Sequence, residues 1–374
     1  MSFEARDKEK IKSGEWESFE KSANEIIEAG LKLMKEKHDP GSGRTKVYHR
    51  SWHPERLQKR AEAMANIFGL SPERGLVTEM AIAWHDTIIE FTPPKPYDPE
   101  NPETILGMIA RHRGAREGDI PAGAIGNEAL SVQKLEESMR SINEKSGRAV
   151  FSEEQIKTAV RAIHATYSDA KFDAQFTEDP FYEKIAEQNP NIDKIIKGLE
   201  AEGLTKGALF SQPHLESSLE RGEDVPEEVV ITALADLGSA GIAKEPKDFF
   251  QEGDEEYQEL TPNIAKNMDR LVKQEGPQEE RERAMAVGAL QKWLEGQIGF
   301  ATWQMIRFEK ILYLLRRNGQ ADENKEAALR NLFGNFEQNI MASLERAKKA
   351  KAKPETESDK ETFLRLVRET GYDI

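Results

Sequence analysis

Three stretches of the chain gather residue types that could do chemistry. The first is Tyr48-His49-Arg50-Ser51-Trp52-His53-Pro54. If Ser51 caps a helix, His53 stands in its first turn, where the following proline is tolerated. The second is Trp84-His85-Asp86-Thr87-Ile88-Ile89-Glu90. It closes a segment whose apolar positions Leu76, Val77, Met80, Ala81, Trp84 and Ile88 follow a 3.6-residue stripe. Helix neighbours diverge by about 100°, so His85 and Asp86 do not stack, yet both can reach one ion lying against that edge. Glu90, four residues beyond Asp86, would share its face. The third stretch holds one carboxylate: Asp236 is the sole charge between Val229 and Ala243. Burying a lone carboxylate is costly unless it is paired or bound to a metal.

Each of these residues also has a plain structural role open to it. His53, His85 and Asp86 could form a capping and salt-bridge group. Asp236 could accept hydrogen bonds at a helix end, His49 could be a surface histidine, and Glu90 could be solvated. His164, in Ala162-Ile163-His164-Ala165, could be packed or at the surface rather than functional; His112, between Arg111 and Arg113, reads as solvated, and His214, after Pro213, as a loop residue that could approach the site. His38 completes the seven histidines. Trp293, Phe300, Trp303 and Phe308 are expected in the core or at an interface between copies of the chain, which leaves a homo-oligomer open.

The elements that must position these residues are helical. Ser71-Pro72 forms an N-cap followed by proline at the first helical position. A long stripe through Leu290, Leu294, Ile298, Ala301, Met305, Phe308, Leu312 and Leu315 stops at Asn318-Gly319. Alternating strand patterns are scarce, so the expected class is all-α. Asp39-Pro40-Gly41-Ser42-Gly43 separates a first helix from the rest, and Phe91 to Pro102, with five prolines, must be a loop. Ala170 to Pro190 reads as irregular, and Ala350 to Asp359 as a linker to a short last helix. The resulting division is an N-terminal helical segment at 1–44, a central domain at 45–275 with an insertion at about 91–150, and a C-terminal helical extension at 276–374.

Taken in order, His53, His85-Asp86 and Asp236 resemble the H…HD…D motif of the HD-domain superfamily of metal-dependent phosphohydrolases. Tyr48-His49 resembles the YHxxxH opening of that family, and Ala235-Asp236-Leu237-Gly238 its last ligand's setting. The resemblance runs from about Lys46 to Lys244. It implies an HD-type helical bundle in which His53, His85, Asp86 and Asp236 hold a divalent metal (Mn, Fe, Co, Ni, Mg or Zn). It implies hydrolysis of a nucleotide or other small phosphate ester through a metal-activated water. His49 matches a histidine that gives a proton to the leaving group, and Glu90 could orient the water or support a ligand. His164 could bind substrate or a further metal. Arg50, Arg161 and Lys244 are candidates for gripping phosphate. The Glu90-Phe91 sequence departs from the glutamate-aspartate pair of members that cleave guanosine tetraphosphate. Two other functions remain open: a cyclic-nucleotide phosphodiesterase using the same site, and a non-catalytic helical scaffold retaining it.

Composition narrows the setting. The 374 residues carry 68 acidic and 53 basic side chains, a net charge of −15, which weighs against a binder of nucleic-acid backbones. No cysteine is present, so thiolate metal sites and cysteine nucleophiles are excluded. The charged first twelve residues lack the apolar stretch of a signal peptide, and Lys292, Glu295, Arg307, Glu309 and Lys310 interrupt the longest apolar segment. A cytoplasmic protein is expected, with a small phosphorylated substrate and no membrane partner.

Overall fold

Glycine at position 30 decides how the first two layers meet. A Cβ built there would lie 2.7 Å from the Ala83 carbonyl oxygen and 2.8 Å from the Trp84 indole nitrogen. Helix α1 (Gly14–His38) therefore lies directly on α3 (Pro72–Trp84), and the Trp84 indole donates to the Ile26 carbonyl at 2.9 Å. The computed structural model describes residues 14–40, 46–87, 126–354 and 356–372. Helix α2 (Trp52–Phe68) packs on the same α3, which is buried on almost every side. Ser71 caps α3 by accepting the Arg74 N–H, with Pro72 at the first helical position, as the sequence predicts.

Helices α4 (Gly126–Ser146) and α5 (Glu153–His164) close over α3. Ser152 and Gln155 form a reciprocal capping box at the start of α5. The segment read as irregular holds order instead. Strand β1 (Asp169–Gln175) is followed by α6 (Tyr182–Gln188) and α7 (Pro190–Ala201), and β1 pairs antiparallel with β2 (Lys206–Ser211). The register joins Asp169 to Ser211 and Gln175 to Lys206, with an irregularity between Lys171 and Ala174. That irregularity places Asp173 at φ 57° and hides the two-residue period from the sequence.

After α8 (Pro213–Glu220), the apolar helix α9 (Glu227–Asp236) enters the core against α2, α3 and α5. Short α10 (Ser239–Ile242), α11 (Pro246–Leu260) and α12 (Pro262–Lys273) lead to α13 (Pro277–Arg317), the long stripe foreseen in the sequence. Its middle is buried on all faces because β2, α15 (Phe336–Lys351) and α16 (Asp359–Glu369) surround it, while α14 (Glu323–Leu332) packs on α2. The sheet touches α13 at paired glycines, since a Cβ on Gly207 would lie 2.5 Å from the Gly299 Cα. The fold is all-α with one two-stranded antiparallel sheet. Among the described residues, no helix is long and apolar enough to cross a membrane.

Candidate metal centre

His53 enters the centre from the first turn of α2. Its side chain is fully buried, and neither ring nitrogen has a hydrogen-bond partner. The Tyr48 ring covers one side, with centroids 4.5 Å apart. Ser51 precedes the helix but does not cap it with its side chain. Its N–H and hydroxyl donate instead to the Asp39 carboxylate at 2.9 and 2.8 Å, tying the start of α2 to the end of α1.

His85 and Asp86 lie just past α3 rather than on it. The helix ends at Trp84, with His85 as its C-cap. The Thr87 hydroxyl and N–H both donate to the Trp84 carbonyl, at 2.9 and 3.2 Å, and turn the chain out of the helix. The shared-face argument for Glu90 therefore does not hold, and Glu90 itself falls outside the described residues. The turn gives His85 a fixed orientation. Its Nδ1 lies 2.7 Å from the Ile82 carbonyl, which can only accept, so Nδ1 carries the proton and Nε2 faces inward.

Asp236 arrives as the last residue of α9. One donor atom each from His53, His85 and Asp236 lies within 4.8 Å of the others, a group that could hold a metal ion. Asp86 Oδ2 sits against the same two rings, 2.8 Å from His85 Nε2 and 3.4 Å from His53 Nε2, and Asp236 Oδ1 is 3.9 Å from His85 Nε2. His85 Nε2 is nevertheless not aligned for a hydrogen bond. Buried imidazole nitrogens without partners, beside two carboxylates, suit a cation better than they suit one another.

The carboxylates that would hold a cation here also favour a proton on His85. Burial works against charge on His85, but Asp86 and Asp236 more than offset it and raise its pKa to about 9. At His53 burial prevails and lowers the pKa to about 4. Burial also opposes charge on Asp86, yet His85 and His53 hold its carboxyl well below the usual range. A proton and a metal ion compete for the same imidazole lone pair.

His49 faces this group through Nε2, 3.8 Å from Asp86 Oδ2. Its other nitrogen, Nδ1, bonds to Glu259 Oε1 at 2.8 Å. The second oxygen of Glu259 accepts the backbone N–H groups of Val47, Tyr48 and His49 at 3.1, 3.0 and 3.1 Å. Lys46 Nζ stands 3.5 Å from Oε1. One carboxylate thus fixes the whole approach to α2. Burial opposes its charge, but His49 and Lys46 hold Glu259 far below the ordinary carboxylate range. Burial likewise opposes the imidazolium of His49, and Glu259 overcomes it, raising the His49 pKa. No spacing signal marks Glu259, which lies in the acidic run Asp254-Glu255-Glu256-Tyr257-Gln258-Glu259 of α11. His38, at the end of α1, was also unmarked. It is buried, its ring nitrogens have no hydrogen-bond partner, and burial lowers its pKa to about 4.

The remaining candidates are placed elsewhere in their contacts. Arg50 turns its Nε to the Lys46 carbonyl. Arg161 pairs with Glu223 at 3.4 Å, and Lys244 is exposed. His164 packs its ring near that of His214, with centroids 6.1 Å apart. No family model matches this chain, and comparison with curated proteins and with solved structures finds no significant match.

Proposed function

We propose that the chain is an HD-type, metal-dependent phosphohydrolase acting on a nucleotide or another small phosphate ester. The observation that carries this reading is convergence. His53, His85, Asp86 and Asp236 come from α2, the turn after α3 and the end of α9, and meet with unpartnered imidazole nitrogens at a buried point. Three of these residues satisfy a metal's demand for nitrogen and oxygen donors, and Asp86 is placed to be a fourth.

A divalent ion held there supplies Lewis acidity to a phosphoryl oxygen and lowers the pKa of a nearby water. The chain's own residues do the rest. Glu259 holds the proton on His49 Nδ1 and keeps the imidazolium form favoured in a buried position. His49 Nε2 then faces the ligand group with a proton to give to a leaving oxygen. The Tyr48 ring shields His53 and keeps its orientation narrow. Of the basic residues named from the sequence, Arg50 stands next to His49 in sequence, and it would have to leave the Lys46 carbonyl to grip a phosphate.

The test is elemental analysis of the purified protein and of Asp86→Ala, with each assayed on a phosphoester panel under added Mn²⁺. Near-stoichiometric metal and hydrolysis in the wild type, both lost in the variant, are expected. Equal metal content in the two proteins, or none in either after metal loading, would sink the ligand assignment. Metal without hydrolysis would leave a metal-binding scaffold.

A further inference from the structure

A cleft opens beside Asp236 and reaches away from the metal ligands. It encloses about 650 Å³, including its solvent-open mouth, and Tyr48 and Asp236 belong to both its wall and the metal centre. Its other walls are rings: Phe172 and Phe210 from the sheet, Phe249 from α11, and Trp293 and Phe300 from α13. Phe249 and Phe300 lie nearly parallel, 7° apart, and Phe210 meets Phe300 edge-on. The charged side chains along the cleft are carboxylates, Asp236, Glu252 and Glu256, of which Glu252 is paired with Arg60 behind the wall, and among the described residues lining it there is no lysine or arginine.

This lining carries a conclusion about the substrate, resting on the phosphohydrolase reading. A second phosphate or a diphosphate tail placed in the cleft would meet carboxylates and no cation, which costs affinity. An uncharged apolar group would exchange water for five aromatic rings. We infer that the cleft takes the hydrocarbon part of an amphiphilic phosphate monoester, an alkyl or aryl group, while its phosphate stays at the metal. The close contact of Gly207 with Gly299 serves this arrangement. It seats the sheet against α13 so that Phe210 and Phe300 form one wall.

Gly296 supplies the test. It lines the cleft, it is helical, and a Cβ there meets no atom within 4 Å. Gly296→Leu would fill cleft space, and the change from glycine favours the helix. Binding of methyl, butyl and octyl phosphate to the Mn²⁺-loaded protein would be measured by calorimetry, with n-octanol and a nucleoside diphosphate for comparison. Each methylene buried is worth about fourfold in affinity, so the four extra methylenes of octyl phosphate should tighten binding on the order of 10²-fold over butyl phosphate. Gly296→Leu should flatten that series, and the milder Gly296→Ala should flatten it less. A flat series in the wild type overturns the inference. So does an unchanged slope in a folded Gly296→Leu protein, or tighter binding of the nucleoside diphosphate than of octyl phosphate. Octanol and octyl phosphate that bind without hydrolysis would overturn the enzymatic reading and leave the cleft assignment standing. Hydrolysis at rates independent of chain length would do the reverse.

Discussion

At the scale of single residues, the proposed chemistry depends on the pairing of His49 with Glu259. Because Glu259 raises the His49 pKa, the imidazolium persists above the ordinary value of about 6.5, and proton donation should fail only as pH rises through the raised value. Glu259→Gln keeps one acceptor oxygen for the backbone N–H groups but removes the charge and turns an amide N–H toward His49 Nδ1. Burial would then dominate at His49 and draw its pKa downward. The alkaline limb of the pH–rate profile should move to lower pH. Activity on esters with poor leaving groups should fall about 10²-fold or more, and on activated esters much less. An unmoved limb would remove His49 from proton transfer. The pair also contributes to folding. The Glu259 part is fully present above about pH 4.5 and is lost as pH falls through its depressed value. The His49 part is fully present below about 6.5 and is lost as pH rises through its raised value. Most of this centre was legible in the sequence. His53, His85 and Asp236 stand together, as their residue types and order suggested, because metal-type donors in apolar surroundings have few other roles. Glu259 was not legible. A carboxylate in an acidic amphipathic helix looks like solvated surface until a loop more than two hundred residues away is folded over it.

At the scale of elements, the candidate ligands inherit their precision from helix contacts. His85 follows Trp84 directly, and Trp84 is held by Ile26 of α1 across the contact that Gly30 permits. Gly30→Ala places a methyl where the Ala83 carbonyl and the Trp84 ring already stand. Overpacking of this kind costs about 1–3 kcal/mol. It should also push α1 and α3 apart at the end that carries His85. The expected outcome is a lower denaturant midpoint together with weaker metal binding, although residue 30 touches no ligand. Retained metal affinity in a destabilised protein would show that the turn after α3 is fixed by Thr87 alone. A second case concerns Asp254 on α11, whose Oδ1 is buried without a partner while Oδ2 takes a 2.7 Å bond from Arg346 of α15. Burial outweighs Arg346 and raises its pKa to about 6. A folded-state pKa above the unfolded value means that stability falls as pH rises from about 4 to 6. Asp254→Asn should flatten that part of the stability curve, as measured by urea unfolding at several pH values. The helices themselves were readable because Ser71-Pro72 and the stripe from Leu290 to Leu315 act locally. The small sheet was not, because the period of β1 is broken between Lys171 and Ala174 and its partner strand lies beyond two helices.

At the scale of the whole molecule, the aromatic residues of α13 illustrate what sequence leaves open. Trp293, Phe300, Trp303 and Phe308 all fit an apolar stripe, and the stripe places them in the interior. Trp303 and Phe308 are core residues, while Trp293, although buried, and the half-buried Phe300 also line the cleft, where Gly296 leaves open space. Nothing in the helical period separates the two pairs. The difference arises from what the sheet and α11 bring to the opposite side. The candidate metal centre has the same long-range character, since its residues join segments from residue 53 to residue 236. An ion that binds only the folded arrangement must therefore stabilise the whole chain. At a free concentration one hundred times its dissociation constant, one ion adds about 2.7 kcal/mol. Chelator treatment should lower the melting temperature by about a few degrees, given that larger chains shift by ~2–4 °C or less per kcal/mol. Added Mn²⁺ should restore it in the wild type and fail to do so in His53→Ala. His53→Ala removes a buried ring without a hydrogen-bond partner and should lower the metal-free melting temperature through lost packing alone. The decisive quantity is the metal-dependent increment. A wild-type increment of zero, or one that survives in His53→Ala, would show that this cluster is held by packing rather than built for a cation.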